Sequence, residues 1–130
     1  MLQAIHHVAI ICSDYPRSKH FYHQILGLPI VAEHYRAERQ SYKLDLQLPD
    51  GSQLELFSFI DAPARPSRPE AQGLRHLCFA VDDVAATVAW LTGLGIEVEP
   101  IRIDPYTEQP FTFFADPDGL PLEIYQRSSR

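Results

Sequence analysis

Two pairs of histidine and glutamate occupy matching places in the two halves of this chain. His7 and Glu55 belong to the first half, and His76 and Glu123 are separated by nearly the same number of residues in the second. Imidazole nitrogens and carboxylate oxygens are ligands for divalent transition metals. Two of each neutralise a divalent cation and leave two octahedral positions open for water or a chelating substrate. The four residues therefore predict a catalytic metal site.

An internal repeat is the reason for treating these residues as a set. Segments 49–57 and 117–125 share Pro, Asp, Gly, Leu and Glu at matching positions, and segment 7–14 aligns with 76–83. A single histidine in a strand is more often a core or surface residue than a ligand. His6 competes with its neighbour for the ligand role, but the alignment pairs His76 with His7. Finding the same pair in both halves favours the metal site over four unrelated polar residues.

The overall composition favours a small-molecule partner. The chain has 130 residues, a mass of 14.8 kDa, 45% hydrophobic residues and a net charge of −6. The lack of a basic cluster argues against nucleic acid and against an anionic membrane surface. No apolar run has the length of a membrane span and no signal-peptide pattern follows Met1, so we expect a cytoplasmic protein. Cys12 and Cys78 are expected to be buried, reduced thiols.

The elements that must position the four residues also repeat. Each half is predicted to contain a strand, a helix and three further strands, because turn residues separate segments of alternating or β-rich sequence. A proline-rich linker, 63–72, divides the modules 1–62 and 73–126, and 127–130 is a tail of what we expect to be one structural domain. The predicted strands are 4–12, 29–36, 41–48 and 52–59, then 74–81, 96–103, 111–115 and 120–126. Helices are predicted to begin near Tyr15 and after Asp83.

One face of each predicted sheet is suited to lining a cavity. In the second module the small residues Cys78 and Ala80 accompany His76, and the bulkier residues fall on the opposite face, which should pack on the helices. Arg39 and Lys43 are predicted to lie on the cavity face, where they would bind an anionic substrate group or serve as solvated rim charges. Tyr106 is a candidate loop contact to substrate.

The quoted motifs resemble those of the vicinal oxygen chelate superfamily. The resemblance lies in the opening His7-Val8-Ala9-Ile10, in an Asp-Pro-Asp-Gly-x-x-x-Glu motif that ends at Glu123, and in the two modules. It implies an α+β fold of two βαβββ modules, the glyoxalase/bleomycin resistance/dioxygenase fold, with a curved mixed sheet around a metal-binding cavity. It also implies one divalent ion (Zn, Ni, Co or Mn), and a homodimer, since relatives often pair modules between subunits. The ligands carried over are His7, Glu55, His76 and Glu123.

Position 55 indicates which branch of the superfamily the chain resembles. The dioxygenase and fosfomycin-resistance branches match His7, His76 and Glu123 but have no acidic ligand at the fourth place, whereas glyoxalase I has one, as this chain does. Bleomycin-binding relatives generally lack the metal set. Bacterial glyoxalase I has Arg where this chain has Ile11 and Asn where it has Phe59. Those family positions hold the carboxylates of glutathione, so the differences argue against a glutathione substrate.

The expected activity is that of a metal-dependent lyase or isomerase of the glyoxalase I type. It would act on a small substrate with two adjacent oxygens, with Glu123 or Glu55 removing a carbon-bound proton to give a metal-stabilised enediolate. The alternatives are a non-catalytic protein that binds or sequesters a small molecule, as antibiotic-resistance proteins do, and an enzyme of the dioxygenase or fosfomycin-resistance type.

Overall fold

The computed structural model describes residues 1–128, which form two compact units divided between Ala64 and Arg65. Each unit has a first strand, a helix and three more strands, so the predicted α+β architecture of two βαβββ modules is confirmed. The elements of the first unit are β1 (His7–Cys12), α1 (Tyr15–Lys19), β2 (Ile30–Arg36), β3 (Ser41–Gln47) and β4 (Gln53–Ser58). Those of the second are β5 (Leu77–Val81), α2 (Val84–Gly93), β6 (Arg102–Ile103), β7 (Pro110–Ala115) and β8 (Pro121–Gln126).

The first unit is a mixed sheet with one face packed on a helical segment. Its strand order is β1-β4-β3-β2, with β1 parallel to β4 and the other neighbours antiparallel. Asp14 caps α1 by accepting a hydrogen bond from the Arg17 amide, and Pro16 occupies a first-turn position where its missing N–H costs nothing. The helix continues as a π-helical segment, His20–Ile25. Core side chains from strands and helix are fully buried, namely Tyr22, Leu44, Leu46, Leu54 and Leu56.

The second unit repeats this order as β5-β8-β7-β6, again with one parallel pair, β5 and β8. Asp83 caps α2 by accepting from the Ala86 amide. The buried side of the unit contains apolar residues from α2, β7 and β8, namely Val84, Leu91, Phe114, Leu122 and Ile124. Within each sheet, alternation along the strands leaves a second face for polar side chains.

The predicted strand 96–103 is wrong over most of its length, since only Arg102–Ile103 pairs as a strand. Pro100 has no N–H to donate and so interrupts a ladder at this point. Glu99 still donates its amide to the Phe113 carbonyl at 3.0 Å, and its own carbonyl accepts from the buried Thr112 hydroxyl at 2.8 Å. The segment therefore follows β7 through isolated hydrogen bonds.

Smaller corrections concern the ends of the elements. The first strand of each unit starts three residues later than predicted, at His7 and Leu77. Of the predicted tail, Arg127 donates its amide to the Val81 carbonyl at 2.9 Å, whereas residues 129 and 130 lie outside the described part of the chain. No helix among residues 1–128 is both long enough and apolar enough to span a membrane.

Candidate metal centre

The first His/Glu pair lies on the polar face of the first sheet. Ala9 of β1 is opposite Glu55 of β4, and His7 is two residues earlier on the same strand, so it projects from the same face. His7 Nδ1 is 3.6 Å from Glu55 Oε2. The imidazole is 42% exposed and the carboxylate 12% exposed. A ligand could therefore reach both groups from the open side of the sheet.

Two further charged groups surround Glu55. Asp45 of β3 is its direct cross-strand neighbour. Lys43 Nζ lies 2.8 Å from Asp45 Oδ1 and 3.8 Å from Glu55 Oε2. Like charges directly opposite one another destabilise a sheet, and an ammonium group between them offsets that repulsion. The repeat did not reveal Asp45, because its importance comes from pairing between β3 and β4.

The second pair makes a closer contact. His76 directly precedes β5, and its Nε2 is 2.8 Å from Glu123 Oε1 in β8. The two side chains are 25% and 12% exposed. The Phe113 ring, from the residue opposite Glu123, meets the imidazole edge to face with a centroid distance of 5.1 Å. An aromatic ring therefore occupies the place that Asp45 has beside Glu55.

Cys78 is the cross-strand neighbour of Glu123 on the other side. The residue is exposed, contrary to the expectation of a buried thiol, whereas Cys12 is buried as expected. Partial burial of the thiol, followed by the charge of Glu123 and a hydrogen bond to it, raises the pKa of Cys78 to about 12. The thiol is thus protonated at neutral pH and is a poor nucleophile.

The remaining predicted residues have different surroundings. Lys43 lies on the face that carries Glu55, already paired as described. Arg39 ends a short 3₁₀ helix, Ala37–Arg39, and its guanidinium carbon is 4.8 Å from the centroid of the Phe59 ring. Tyr106 is 93% exposed in the loop after β6, and its amide donates to Asp104 Oδ1. Within residues 65–128, Tyr106 makes no hydrogen bond or ring contact with the His76/Glu123 pair of its own unit.

The alternative ligand His6 is an immediate neighbour of His7. Their Nδ1 atoms are 2.9 Å apart and the rings meet edge to face. His6 also anchors the start of β4, because its carbonyl accepts a hydrogen bond from the Gln53 amide at 3.0 Å. Its interactions are with the strand and with His7.

Comparison with known proteins assigns the family. The model of the Glyoxalase/Bleomycin resistance protein/Dioxygenase superfamily matches residues 4–124. The chain belongs to this superfamily. It is 57% identical over 127 residues to the uncharacterized protein YwkD of Bacillus subtilis (strain 168), covering 98% of this chain and 99% of YwkD. It is 56% identical over 126 residues to the uncharacterized protein YaeR of Escherichia coli (strain K12), covering 97% and 98%.

Solved structures of superfamily members have the same fold. A glyoxalase family protein from Enterococcus faecalis superposes with a TM-score of 0.89 at 49% identity, covering 95% of this chain and 97% of that one. A glyoxalase I mutant from Zea mays (TM-score 0.80, 17% identity, 96% of this chain and 46% of that one) shares the fold alone. The fosfomycin resistance protein FosX from Listeria monocytogenes (TM-score 0.71, 17% identity, 98% and 96%) likewise shares only the fold.

Members of the superfamily commonly bind a divalent metal ion, and many are enzymes. In this member, residues 1–128 contain no group of three or more His, Cys, Asp or Glu side chains arranged to hold a metal ion. Each unit by itself provides one imidazole and one carboxylate in contact or near contact. These donors are of the kind that zinc, nickel, cobalt and manganese accept, so the side chains present fit the cofactor in their chemistry.

Proposed function

We propose that this protein is a metal-dependent lyase or isomerase of the glyoxalase I type. His7, Glu55, His76 and Glu123 would together hold one divalent ion (Zn, Ni, Co or Mn), and a small molecule with two adjacent oxygens would be the substrate. The observation that carries the proposal is the pairing of histidine and glutamate on the polar face of each sheet, at 3.6 Å in one unit and 2.8 Å in the other. Superfamily membership supports it.

Glu55 favours the glyoxalase I type over the dioxygenase and fosfomycin-resistance types. The resemblance gives those two types a ligand set without an acid at this place. In this chain Glu55 is mostly buried and sits beside another carboxylate, Asp45. Lys43 supplies one positive charge for these two carboxylates, and a metal ion bound by Glu55 would compensate the other negative charge.

In the proposed reaction, Glu123 or Glu55 accepts a proton from the substrate carbon next to the two oxygens. A bound divalent ion would stabilise the negative charge that develops on those oxygens. The 2.8 Å contact with His76 fixes the orientation of the Glu123 carboxylate, and Lys43 orients Glu55 less closely at 3.8 Å. Returning the proton to the neighbouring carbon would complete an isomerisation.

The substrate is proposed to be something other than a glutathione adduct. Ile11, at the place of a family arginine, is exposed and has Phe57 as its cross-strand neighbour. Phe59, at the place of a family asparagine, stacks on Phe57 with ring centroids 5.9 Å apart. These apolar groups offer no hydrogen bonds to the two carboxylates of glutathione.

A non-catalytic binding protein is the second candidate, and the Lys43 contacts favour it. The Lys43 ammonium group lies close to both Asp45 and Glu55, so it compensates part of their negative charge without any metal. In that case the open faces would bind and sequester a small molecule. Proton exchange at a substrate carbon would then be absent.

Metal content tests the proposal. Protein purified without chelator should hold about one divalent ion per chain by elemental analysis, and Glu55→Ala should lose most of it. His20→Ala is the matched control, since it removes an exposed imidazole outside the proposed ligand set. With metal bound, small 2-hydroxyketones in D₂O should exchange their carbon-bound proton, as followed by NMR. Wild-type protein without stoichiometric metal would favour the binding protein.

A further inference from the structure

Two arginine side chains lie on two stacked phenyl rings at one end of the polar face of the first sheet. The Arg36 guanidinium carbon is 5.4 Å from the centroid of the Phe57 ring, and that of Arg39 is 4.8 Å from the Phe59 ring. The rings themselves stack at 5.9 Å with an interplanar angle of 4°. We call these four residues the arginine–phenyl cluster.

The cluster shares its face with the proposed metal ligand Glu55. Phe57 follows Glu55 by two residues in β4, so both side chains project from the same side. Lys43, opposite Phe57, lies on that side as well. Arg36 pairs with Ser41 at the end of the β2–β3 hairpin. A substrate bound at Glu55 could therefore extend toward the guanidinium groups along one sheet surface.

Arg36 makes fewer hydrogen bonds than a partly buried cation normally does. Its Nε is buried and has no hydrogen-bond partner among residues 1–128. Its Nη2 makes one long hydrogen bond, 3.4 Å, to the Ser41 hydroxyl. Because the residue as a whole is only half-buried, its remaining accessible surface lies on other atoms. Buried charged groups normally have several partners, and an unpaired one costs free energy.

Neither guanidinium of the cluster has an acidic partner in the described part of the chain. The other cations on the polar faces do. Lys43 is paired with Asp45, and Arg102 of the second unit, which also lies over phenyl rings at 5.1 and 5.5 Å, is 3.1 Å from Glu99. Ring stacking thus occurs together with an ion pair at Arg102, and without an ion pair at Arg36 and Arg39. A guanidinium group without a counter-ion is electrostatically unsatisfied, and a bound anion would compensate its charge.

We propose that Arg36 and Arg39 form a binding site for the anionic group, a carboxylate or a phosphate, of the substrate. The guanidinium fork matches the geometry of both groups, and the rings hold each side chain in place. The assignment of that anion to the substrate rests on the function proposed above. It narrows the substrate class to molecules that carry a negative group in addition to their two adjacent oxygens.

The test uses full-length protein stripped of metal and dialysed free of chelator. Inorganic phosphate and, separately, acetate are titrated at constant ionic strength, and the arginine Nε–Hε signals are followed by ¹H–¹⁵N NMR. The Arg36 and Arg39 signals are identified by their loss in Arg36→Gln and Arg39→Gln. Both should shift saturably with at least one anion, and the better anion distinguishes a carboxylate site from a phosphate site. Arg36→Gln should weaken that binding about tenfold or more.

Arg102→Gln is the matched control, because it removes a ring-stacked guanidinium that already has an acidic partner. Its anion affinity should equal that of wild type. The proposal is overturned if neither anion shifts the wild-type signals, or if Arg102→Gln weakens binding as much as Arg36→Gln does. If Arg36→Gln does not fold, the wild-type titration and the Arg39→Gln variant still test whether the cluster binds an anion. Since no metal is present, failure of the metal proposal would leave this outcome unchanged.

Discussion

Glu123 makes the closest contact of any proposed ligand, 2.8 Å to His76, and offers the sharpest test at a single residue. Glu123→Gln keeps the size of the side chain and removes its charge. We expect metal affinity to fall more than about tenfold and proton exchange to be lost, with little change in the thermal stability of the metal-free protein. Elemental analysis, NMR exchange and circular dichroism measure these properties. The exposed Glu97→Gln is the control, and undiminished exchange in Glu123→Gln would remove this residue from the mechanism.

Lys43 lies 3.8 Å from the Glu55 carboxylate, the group that the proposed metal ion would also bind. Lys43→Met leaves Asp45 and Glu55 facing each other across β3 and β4 without a cation. The metal-free variant should therefore be less stable than wild type by about 1 kcal/mol, and added metal should stabilise it more than it stabilises wild type. Thermal unfolding with and without metal measures both effects.

Lys19→Met provides the control for this prediction, since Lys19 pairs with Glu33, a different carboxylate of the same unit. It removes an ion pair without changing the surroundings of Glu55. Equal stabilisation by metal in wild type, Lys43→Met and Lys19→Met would show that Lys43 and the metal act independently.

At the scale of elements, the repeated turns set the register of the strands that carry both glutamates. Gly119 has φ +79° in the turn before β8, and a Cβ built there meets nothing within 4 Å. Gly119→Ala should thus cost about 1 kcal/mol through backbone strain alone. Gly93 at the end of α2 also has free space but lacks a positive φ, so Gly93→Ala should be neutral or stabilising. Urea unfolding compares the two, and equal effects would contradict the strain argument.

The contact between α1 and β2 should make stability depend on pH. Glu33 accepts hydrogen bonds from Lys19, at 2.8 Å, and from the Tyr15 hydroxyl. Lys19 is the larger cause and Tyr15 the second cause of a pKa below the ordinary 4.5 for Glu33. Because the folded pKa lies below the unfolded one, the stabilisation is present above about pH 4.5 and is lost as the pH falls through the folded pKa.

Glu33→Gln should accordingly unfold at lower urea concentration than wild type at pH 7, and the difference should shrink by pH 3. Asp50→Asn is a useful comparison, since Asp50 also has a lowered pKa but its bonds are confined to Ser52 in its own turn. A Glu33→Gln difference that stays constant from pH 7 to pH 3 would exclude the linkage.

The sequence pattern predicts most of the strands and the proposed ligands, but it does not predict the contacts between strands. Alternation correctly placed His7 and Ala9 on the face opposite Ile10, and the repeat predicted both modules. The prediction of a strand over 96–103 is wrong because Pro100 interrupts the hydrogen bonding of a segment whose polar and apolar residues otherwise alternate. The proposed ligands could be found because they repeat, whereas Asp45 and Arg36 could not. The surroundings of Asp45 and Arg36 depend on the register between strands and on the geometry of one hairpin. The periodicity of the sequence predicts neither of these.

At the scale of the whole molecule, proteins of this superfamily typically act as dimers on small-molecule ligands. This chain exposes large apolar side chains on strands of both units, among them Val31 of β2 and Ile103 of β6. Such side chains in water favour association when they are contiguous. We therefore propose that the protein is a homodimer.

Light scattering coupled to size exclusion should then give twice the 14.8 kDa chain mass at micromolar concentration. We expect the same mass after the metal is stripped, because burial of apolar surface and not metal ligation would hold the copies together. Metal at a hundredfold excess over its dissociation constant should still raise stability by about 2.7 kcal/mol. A monomer mass throughout would refute the dimer, whereas a dimer that dissociates only on stripping would mean that two copies share each metal ion.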